Sequence, residues 1–527
     1  MKKIFFAFII FFCVSKIFAQ SQFSGDLQVN SEFYQPDSVI GATGTPHYDN
    51  LKSGLDVWLQ LNYQNPSAGL EAGLRLDIFN NSNLHDPGVP YTDQGIGKWY
   101  IAKTLNAFKI TGGYIYEQFG SGLVYRSYEE RPLGIDNALF GLELEYNINE
   151  NWNIKALAGQ QKNLFDSYNP VLKGVNINGF IPFSDSSIIK IAPGASFLNR
   201  TIDEDNMNLI AAAINNYDLE DRFVPKYNMY AGSVYNTLTI KNISWYIEYA
   251  MKTHEAIKNA SGNLIDTDGN VIYTTLAYSQ KGFGITGQFR KANNWVLRTS
   301  PNELLLDGIM NYLPALTKQN SLRLTARYQD VAQELGETAY QFNVTYTPKK
   351  GYTITANYSD AVSADNIQLW REAYIDLEIR KSKYKLLVGA QYVLYNQKIL
   401  EAHPLDTTIT PITPFTEFTY KFDKKKSLRI ELQYQNNDGD YGSWIYGLAE
   451  FNIAPKWSFT ASDMYNFDPL KTDKALHFPL IAAVYTQKAN RFSLSYVKQL
   501  EGIVCTGGVC RFEPAFSGLK FQIISTF

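Results

Sequence analysis

Apolar and polar residues alternate along most of this chain, and a period of two constrains its fold more tightly than any other feature. Leu55, Val57, Leu59, Leu61 and Tyr63 are interleaved with Asp56, Trp58, Gln60, Asn62 and Gln64. Asn65-Pro66-Ser67 then reads as a tight turn. After it, Ala68, Leu70, Ala72, Leu74, Leu76 and Ile78 are interleaved with Gly69, Glu71, Gly73, Arg75 and Asp77. Alternation sustained over about ten residues describes an extended strand with one apolar and one polar face. It recurs nearly from end to end, so the fold class is all-β. Either two sheets bury their apolar faces against each other, or one sheet closes into a barrel whose apolar face meets lipid.

Three features favour the barrel. The strands are long, about 9–13 residues against a usual five or six in globular sheets. Connections alternate in length. Asn65–Ser67, Asn149–Asn151, Pro348–Gly351, Asp423–Lys426 and Lys488–Asn490 are short; Gln35–Ser53, Asn80–Gln94, Arg200–Asn228, Gln397–Pro411 and Asn466–Phe478 are long. Short periplasmic turns and longer outer loops give that asymmetry. The polar faces also carry both signs of charge: Arg323 and Arg327; Glu372, Asp376, Glu378 and Arg380; Arg429 and Glu431. A lumen tolerates such ladders and lipid does not. The expectation is one large antiparallel transmembrane β-barrel of about 26 strands, range about 22–26. An even number returns both chain ends to the periplasmic side. The least strand-like stretches are Ile181–Asn228 and Asn293–Leu316, and Asn302–Leu313 reads as a short helix in a loop.

The chain begins as an exported one does. Lys2 and Lys3 precede the apolar run Ile4–Val14, and Ile17-Phe18-Ala19 offers a cleavage site before Gln20. That order predicts a signal peptide over residues 1–19 and a barrel over 20–527. Later runs are too short for helical spans, which need about 20 apolar residues. Mean hydropathy is −0.23, a value a barrel reaches because only alternate strand residues face lipid. The net charge of −3 gives no basis for nucleic-acid binding.

The last strand, Gly518–Phe527, places Leu519, Phe521, Ile523 and Phe527 on one face and Lys520, Gln522 and Thr526 on the other, with Ile524 as an exception. A barrel must pair its last strand with its first, here Gln22–Tyr34, because an open edge in lipid leaves backbone groups unsatisfied. Gly518, Phe521 and the terminal aromatic Phe527 form the expected assembly signal, read by the barrel-assembly machinery.

One segment breaks the alternation. Tyr116-Glu117-Gln118-Phe119-Gly120-Ser121-Gly122-Leu123 leads through Tyr125–Arg131 to Leu133-Gly134-Ile135-Asp136-Asn137. One reading folds it into the lumen, where Glu117, Arg126, Glu129, Glu130, Arg131 and Asp136 make a charged constriction. The other leaves it as a solvated outer loop with internal salt bridges. Cys505 and Cys510 flank Thr506-Gly507-Gly508-Val509, a hairpin tip in an oxidising compartment, so a disulfide is expected. No histidine or third cysteine completes a metal site there.

The five histidines, His47, His85, His254, His403 and His477, fall in loops or at strand ends without metal-binding spacing, and solvated roles are expected. Asp266-Thr267-Asp268-Gly269-Asn270 lacks the closing glutamate of a calcium loop and reads as a turn, as does Asn437-Asp438-Gly439-Asp440. No nucleophile elbow is present. The sequence therefore predicts neither catalytic residues nor a cofactor.

The Tyr-Glu-Gln-Phe-Gly-Ser-Gly-Leu string at 116–123 and Tyr-Glu-Glu-Arg-x-Leu-Gly-Ile-Asp-Asn at 128–137 carry a resemblance. So do Leu313-Pro314-Ala315-Leu316-Thr317-Lys318-Gln319 and Cys505-Thr506-Gly507-Gly508-Val509-Cys510-Arg511. These strings resemble an uncharacterised family of outer-membrane β-barrels from the Bacteroidota. The resemblance spans most of the chain and implies an outer-membrane location without an assigned activity.

The leading functional expectation is a porin-like channel for small solutes in the outer membrane of a Gram-negative cell, with membrane lipid around it. The alternative is a structural or interaction barrel of a secretion or assembly complex with an occluded lumen. An outer-membrane enzyme ranks third.

Overall fold

The computed structural model describes residues 21–182, 188–401, 407–506 and 509–527, with the side chains of 503–510 outside that description. The expected signal peptide, His403 and the Gly507-Gly508 tip lie outside the described residues.

Twenty-four long antiparallel strands close into one barrel. The number falls within the expected range; two further strands of two residues each, Ile181–Pro182 and Thr408–Ile409, pad the same sheet. The long strands run from 8 residues (Phe108–Ile115) to 17 (Leu264–Gln280), against about 9–11 needed to cross a bilayer. Closure is direct. The strand Gln22–Tyr34 pairs with Phe516–Thr526 from Asp26↔Thr526 to Tyr34↔Gly518. The start of the first strand and the end of the last therefore lie at the end of the barrel that carries the short turns.

Face alternation follows the sequence. Leu59 pairs with Leu76 and Leu61 with Leu74; Leu61, Leu74, Leu76 and Ile78 are exposed on the outer surface. Asp56, Gln60, Arg75 and Asp77, on the same two strands, point inward and are buried. Aromatic rings collect outside the barrel at its short-turn end. Phe108 stacks on Tyr146 at 4.4 Å, Trp457 lies 4.6 Å from Tyr485, and Phe23 4.9 Å from Tyr63. Such a ring of aromatics is what a membrane interface selects. The apolar exterior with this girdle makes the fold a transmembrane barrel.

Four local expectations need correction. Residues 294–335, between the strands Phe283–Asn293 and Gly336–Lys349, belong to no barrel strand. Arg323 and Arg327 therefore sit in a folded connection, not on a strand ladder. Within it Asn302–Leu313 forms turns and extended chain without a helix. Asp266–Asn270 lies inside the strand Leu264–Gln280, where a register shift at Lys252/Glu255 accommodates it, and is no turn. His47 is buried, with its Nε2 2.9 Å from the Asn81 carbonyl.

A helix at Glu204–Asn215 had gone unread. Asp203 caps it, accepting from the Asn206 N–H at 3.1 Å. Its Met207, Ile210 and Ile214 pack with Ala256 and Leu264 at the long-loop end. The cap, the acids of its first turn and that apolar spacing were present in the sequence.

Candidate functional site

The candidate site is the filling of the lumen, built from two connections that turn inward. The first, 116–138, joins the strands Phe108–Ile115 and Leu139–Asn149. It is two small hairpins in series. Ser127 N–H donates to the Glu117 carbonyl at 2.8 Å and Phe119 N–H to that of Tyr125 at 3.0 Å. Further on, Glu129 pairs with Asp136 and Glu130 with Ile135. Gly120 takes φ +54°, and a Cβ there would stand 2.7 Å from the Glu248 carboxylate, so the tip needs glycine on both counts.

Inward-facing wall residues meet the charges of this segment. Arg75, only 1% exposed, lies 2.7 Å from each of Asp77, Glu129 and Asp136. Asp136 also accepts from the Tyr116 hydroxyl at 2.6 Å and pairs with Lys162. Burial works against the charged form of Asp136, but Lys162 and Arg75 prevail and hold its carboxyl below the usual range. Arg131 bridges Glu129 at 2.5 Å and reaches Asp26 at 3.6 Å. Glu117 pairs with Lys155 at 2.5 Å.

Of the six sequence-selected residues, the structure gathers Glu129, Arg131 and Asp136 around Arg75. Glu117 and Arg126 sit on the first hairpin. Arg126 is held 4.3 Å from the ring centres of both Tyr128 and Tyr312. Glu130 contributes its backbone pairing with Ile135. Most of these charges therefore anchor the segment to the wall.

The second connection, 294–335, was the part of the site that sequence reasoning missed. It starts against the first: the Trp295 indole N–H donates to the Leu123 carbonyl at 2.8 Å, Arg126 N–H to the Met310 carbonyl at 2.8 Å, and Tyr312 N–H to that of Gly122 at 2.9 Å. Phe119, Leu123, Val124, Trp295, Leu297 and Met310 share one buried cluster with wall residues such as Leu172 and Val271. The chain then crosses the lumen. Leu316 and Tyr328 pack with Trp370 and Tyr395, Leu322 with Tyr374 and Phe415, and Leu324 with Trp444 and Tyr34.

Two buried carboxylates fix these connections, with no cation in ion-pair reach of either among the described residues. Glu248 accepts from Ser121 N–H at 2.9 Å, and from the hydroxyls of Ser121 at 2.5 Å, Ser233 at 2.8 Å and Tyr246 at 2.6 Å. Glu372 accepts from Lys318 N–H at 3.1 Å, the Thr317 hydroxyl at 3.2 Å, and the amides of Asn320, Asn357 and Gln391 at 3.0, 3.1 and 2.8 Å. Several neutral donors converge on the carboxyl group in each place. At the far end Asp440 takes Arg327 at 2.8 Å, the Tyr328 hydroxyl at 2.8 Å and Lys471 at 3.0 Å.

The remaining sequence-selected residues lie near the barrel seam. Cys505 and Cys510 stand opposite each other in a two-stranded hairpin, Gly502–Thr506 with Val509–Glu513; their side chains fall outside the described part. Gly518 has φ +149° and sits so close to the Phe33 carbonyl that no side chain fits. Phe521 lies opposite Ser31 in the closing pair of strands. Phe527 exchanges two backbone hydrogen bonds with Gly25, at 2.8 and 3.0 Å. Among the described residues no cluster of three or more His, Cys, Asp or Glu is placed to hold a metal ion.

A family profile described as a family of unknown function (DUF6029) matches residues 1–527. The chain belongs to that family. No curated protein matches it. Among solved structures it is similar to the P pilus usher (PapC) translocation pore, with a TM-score of 0.45 and 8% identity over 96% of this chain and 99% of that one. It is also similar to the siderophore receptor PirA from Pseudomonas aeruginosa, at 0.43 and 8% over 96% and 80%. A third is the ferric citrate transporter FecA, at 0.43 and 10% over 96% and 78%.

Proposed function

We propose that this member of the family is an outer-membrane barrel of a Gram-negative cell with a transport-type role, passing small solutes along a lumen narrowed by its own two inward connections. The apolar exterior and aromatic girdle support the location. One observation carries the rest: connections 116–138 and 294–335 join in a shared buried core and together touch the wall around the lumen. An open diffusion pore has no use for such a filling, whereas a selective conduit does.

The same packing supports a second reading, a structural or interaction barrel that passes nothing, because Trp295, Leu123 and Met310 are fully buried. Planar-bilayer recording separates the two. A conduit gives small, stable, ohmic steps; a silent protein that is correctly inserted establishes the occluded barrel instead.

The proposal extends to export by a signal peptide over 1–19, delivery by the barrel-assembly machinery reading Gly518, Phe521 and Phe527, a Cys505–Cys510 disulfide, and a Bacteroidota source on the strength of the motif strings.

A further inference from the structure

Beside the first hairpin a cleft of about 410 Å³ opens into the lumen, lined by Lys98, Tyr116, Gln118, Arg126, Tyr128 and their neighbours. Its two cations are held by rings. Lys98 Nζ lies 4.3 Å from the centre of Tyr116, and the Arg126 guanidinium is clamped at 4.3 Å from both Tyr128 and Tyr312. Among the described residues neither cation forms an ion pair with a carboxylate.

The two acids of the cleft, by contrast, are already met: Glu117 by Lys155 at 2.5 Å and Glu129 by Arg75 at 2.7 Å. Among the described residues the cleft therefore presents two cations without a direct ion pair, Lys98 standing in the field of Glu129 and Asp136, beside tyrosine rings in a mixed-charge lumen. Guanidinium and ammonium groups bind carboxylates through charge-assisted hydrogen bonds. Aromatic faces accept the apolar C–H face of a sugar ring, and tyrosine hydroxyls add polar contacts.

We propose that this cleft is a binding site for small carboxylate-bearing sugars of the uronic-acid class. The assignment rests on the reading of the lumen as a path for small solutes and names what that path selects. Lys98 and Arg126 take the carboxylate, and the faces of Tyr116 and Tyr128 turned away from those cations take the ring.

The test is equilibrium binding to the purified full-length barrel in detergent, with glucuronate, glucose and inorganic phosphate as probes, in parallel with bilayer recording. Glucuronate should bind at least about tenfold more tightly than glucose or phosphate, with the advantage falling as salt rises. Arg126→Gln and Lys98→Met should each weaken glucuronate binding by about tenfold, and Lys98→Arg should retain it. Heat-modifiable gel migration identifies which variants are folded; should one substitution prevent folding, the other reads the same outcome. Equal binding of glucose or phosphate, or unchanged glucuronate affinity in a folded variant, overturns the proposal. Binding without conductance leaves the site standing and removes the path; conductance without binding removes the site alone.

Discussion

The main-chain N–H of Ser121 donates to the carboxylate of Glu248 at 2.9 Å, across 127 residues of sequence. The bond fixes the tip of one inward connection to the strand Ile243–Lys258. A hydrogen bond to a charged acceptor contributes about 1.5–3 kcal/mol. Glu248→Ala should therefore speed amide exchange at Ser121 and Gly122 by about 10- to 100-fold. Barrel strands remote from the tip should exchange as before.

Glu372 does the same for the second connection, and more of its donors are backbone or amide groups. Replacing it with leucine leaves Lys318 N–H and the amides of Asn320, Asn357 and Gln391 without their acceptor, at about 1–3 kcal/mol for each group left unsatisfied. Lys318 should then become a site of trypsin cleavage in Glu372→Leu protein that stays closed as a barrel. The native protein should resist cleavage there under the same digestion.

Asp440 ties the far end of that connection to the loop before the strand Gly442–Ile453. Burial pushes its carboxyl up, but Arg327, Lys471 and the Tyr328 hydroxyl outweigh burial and hold it at about 2. An unfolded aspartate titrates near 3.9, so the tie is complete above about pH 4, weakens as pH falls, and is lost as pH passes through about 2. Its full contribution is about 2–3 kcal/mol. Exchange at Leu324–Tyr328, corrected for intrinsic rates, should rise over that window. Asp440→Asn should exchange fast already at pH 6 and show no such step.

The wall of the barrel was legible because lipid on one side and polar groups on the other impose a period of two on every strand. The first strand was read at Gln22–Tyr34, where the structure places it. The inward connections obey no period. Leu322 and Leu324 alternate with Arg323 and Thr325 much as a strand would, yet each leucine packs on a different part of the wall. Glu372 read as a member of a polar ladder and Glu248 went unread, because their partners Lys318 and Ser121 are 54 and 127 residues away. Spacing along the chain carries no record of such pairs. Asp136 and Arg131 were picked out by local charge density, but Arg75, the wall residue that meets both Glu129 and Asp136, could not be matched to them from sequence.

The seam yields a prediction about assembly. Phe527 pairs through its backbone with Gly25, and its ring occupies the space a Gly25 side chain would need, 2.7 Å from a Cβ built there. Removing Phe527 takes two backbone hydrogen bonds and that ring from the closing strand pair. Deletion of Phe527, and separately Gly25→Leu, should lower the amount of heat-modifiable barrel in the membrane several-fold. Protein that does insert should conduct as the wild type does.

The filled lumen is tested most directly by conductance after removal of residues 294–335. Asn293 and Gly336 are paired neighbours on adjacent strands, so an Asn-Gly turn can join them without disturbing the wall. The barrel so shortened should insert normally and conduct about tenfold more than the full chain, with weaker discrimination among solutes. Equal conductance in the two proteins, both correctly folded, would contradict the account.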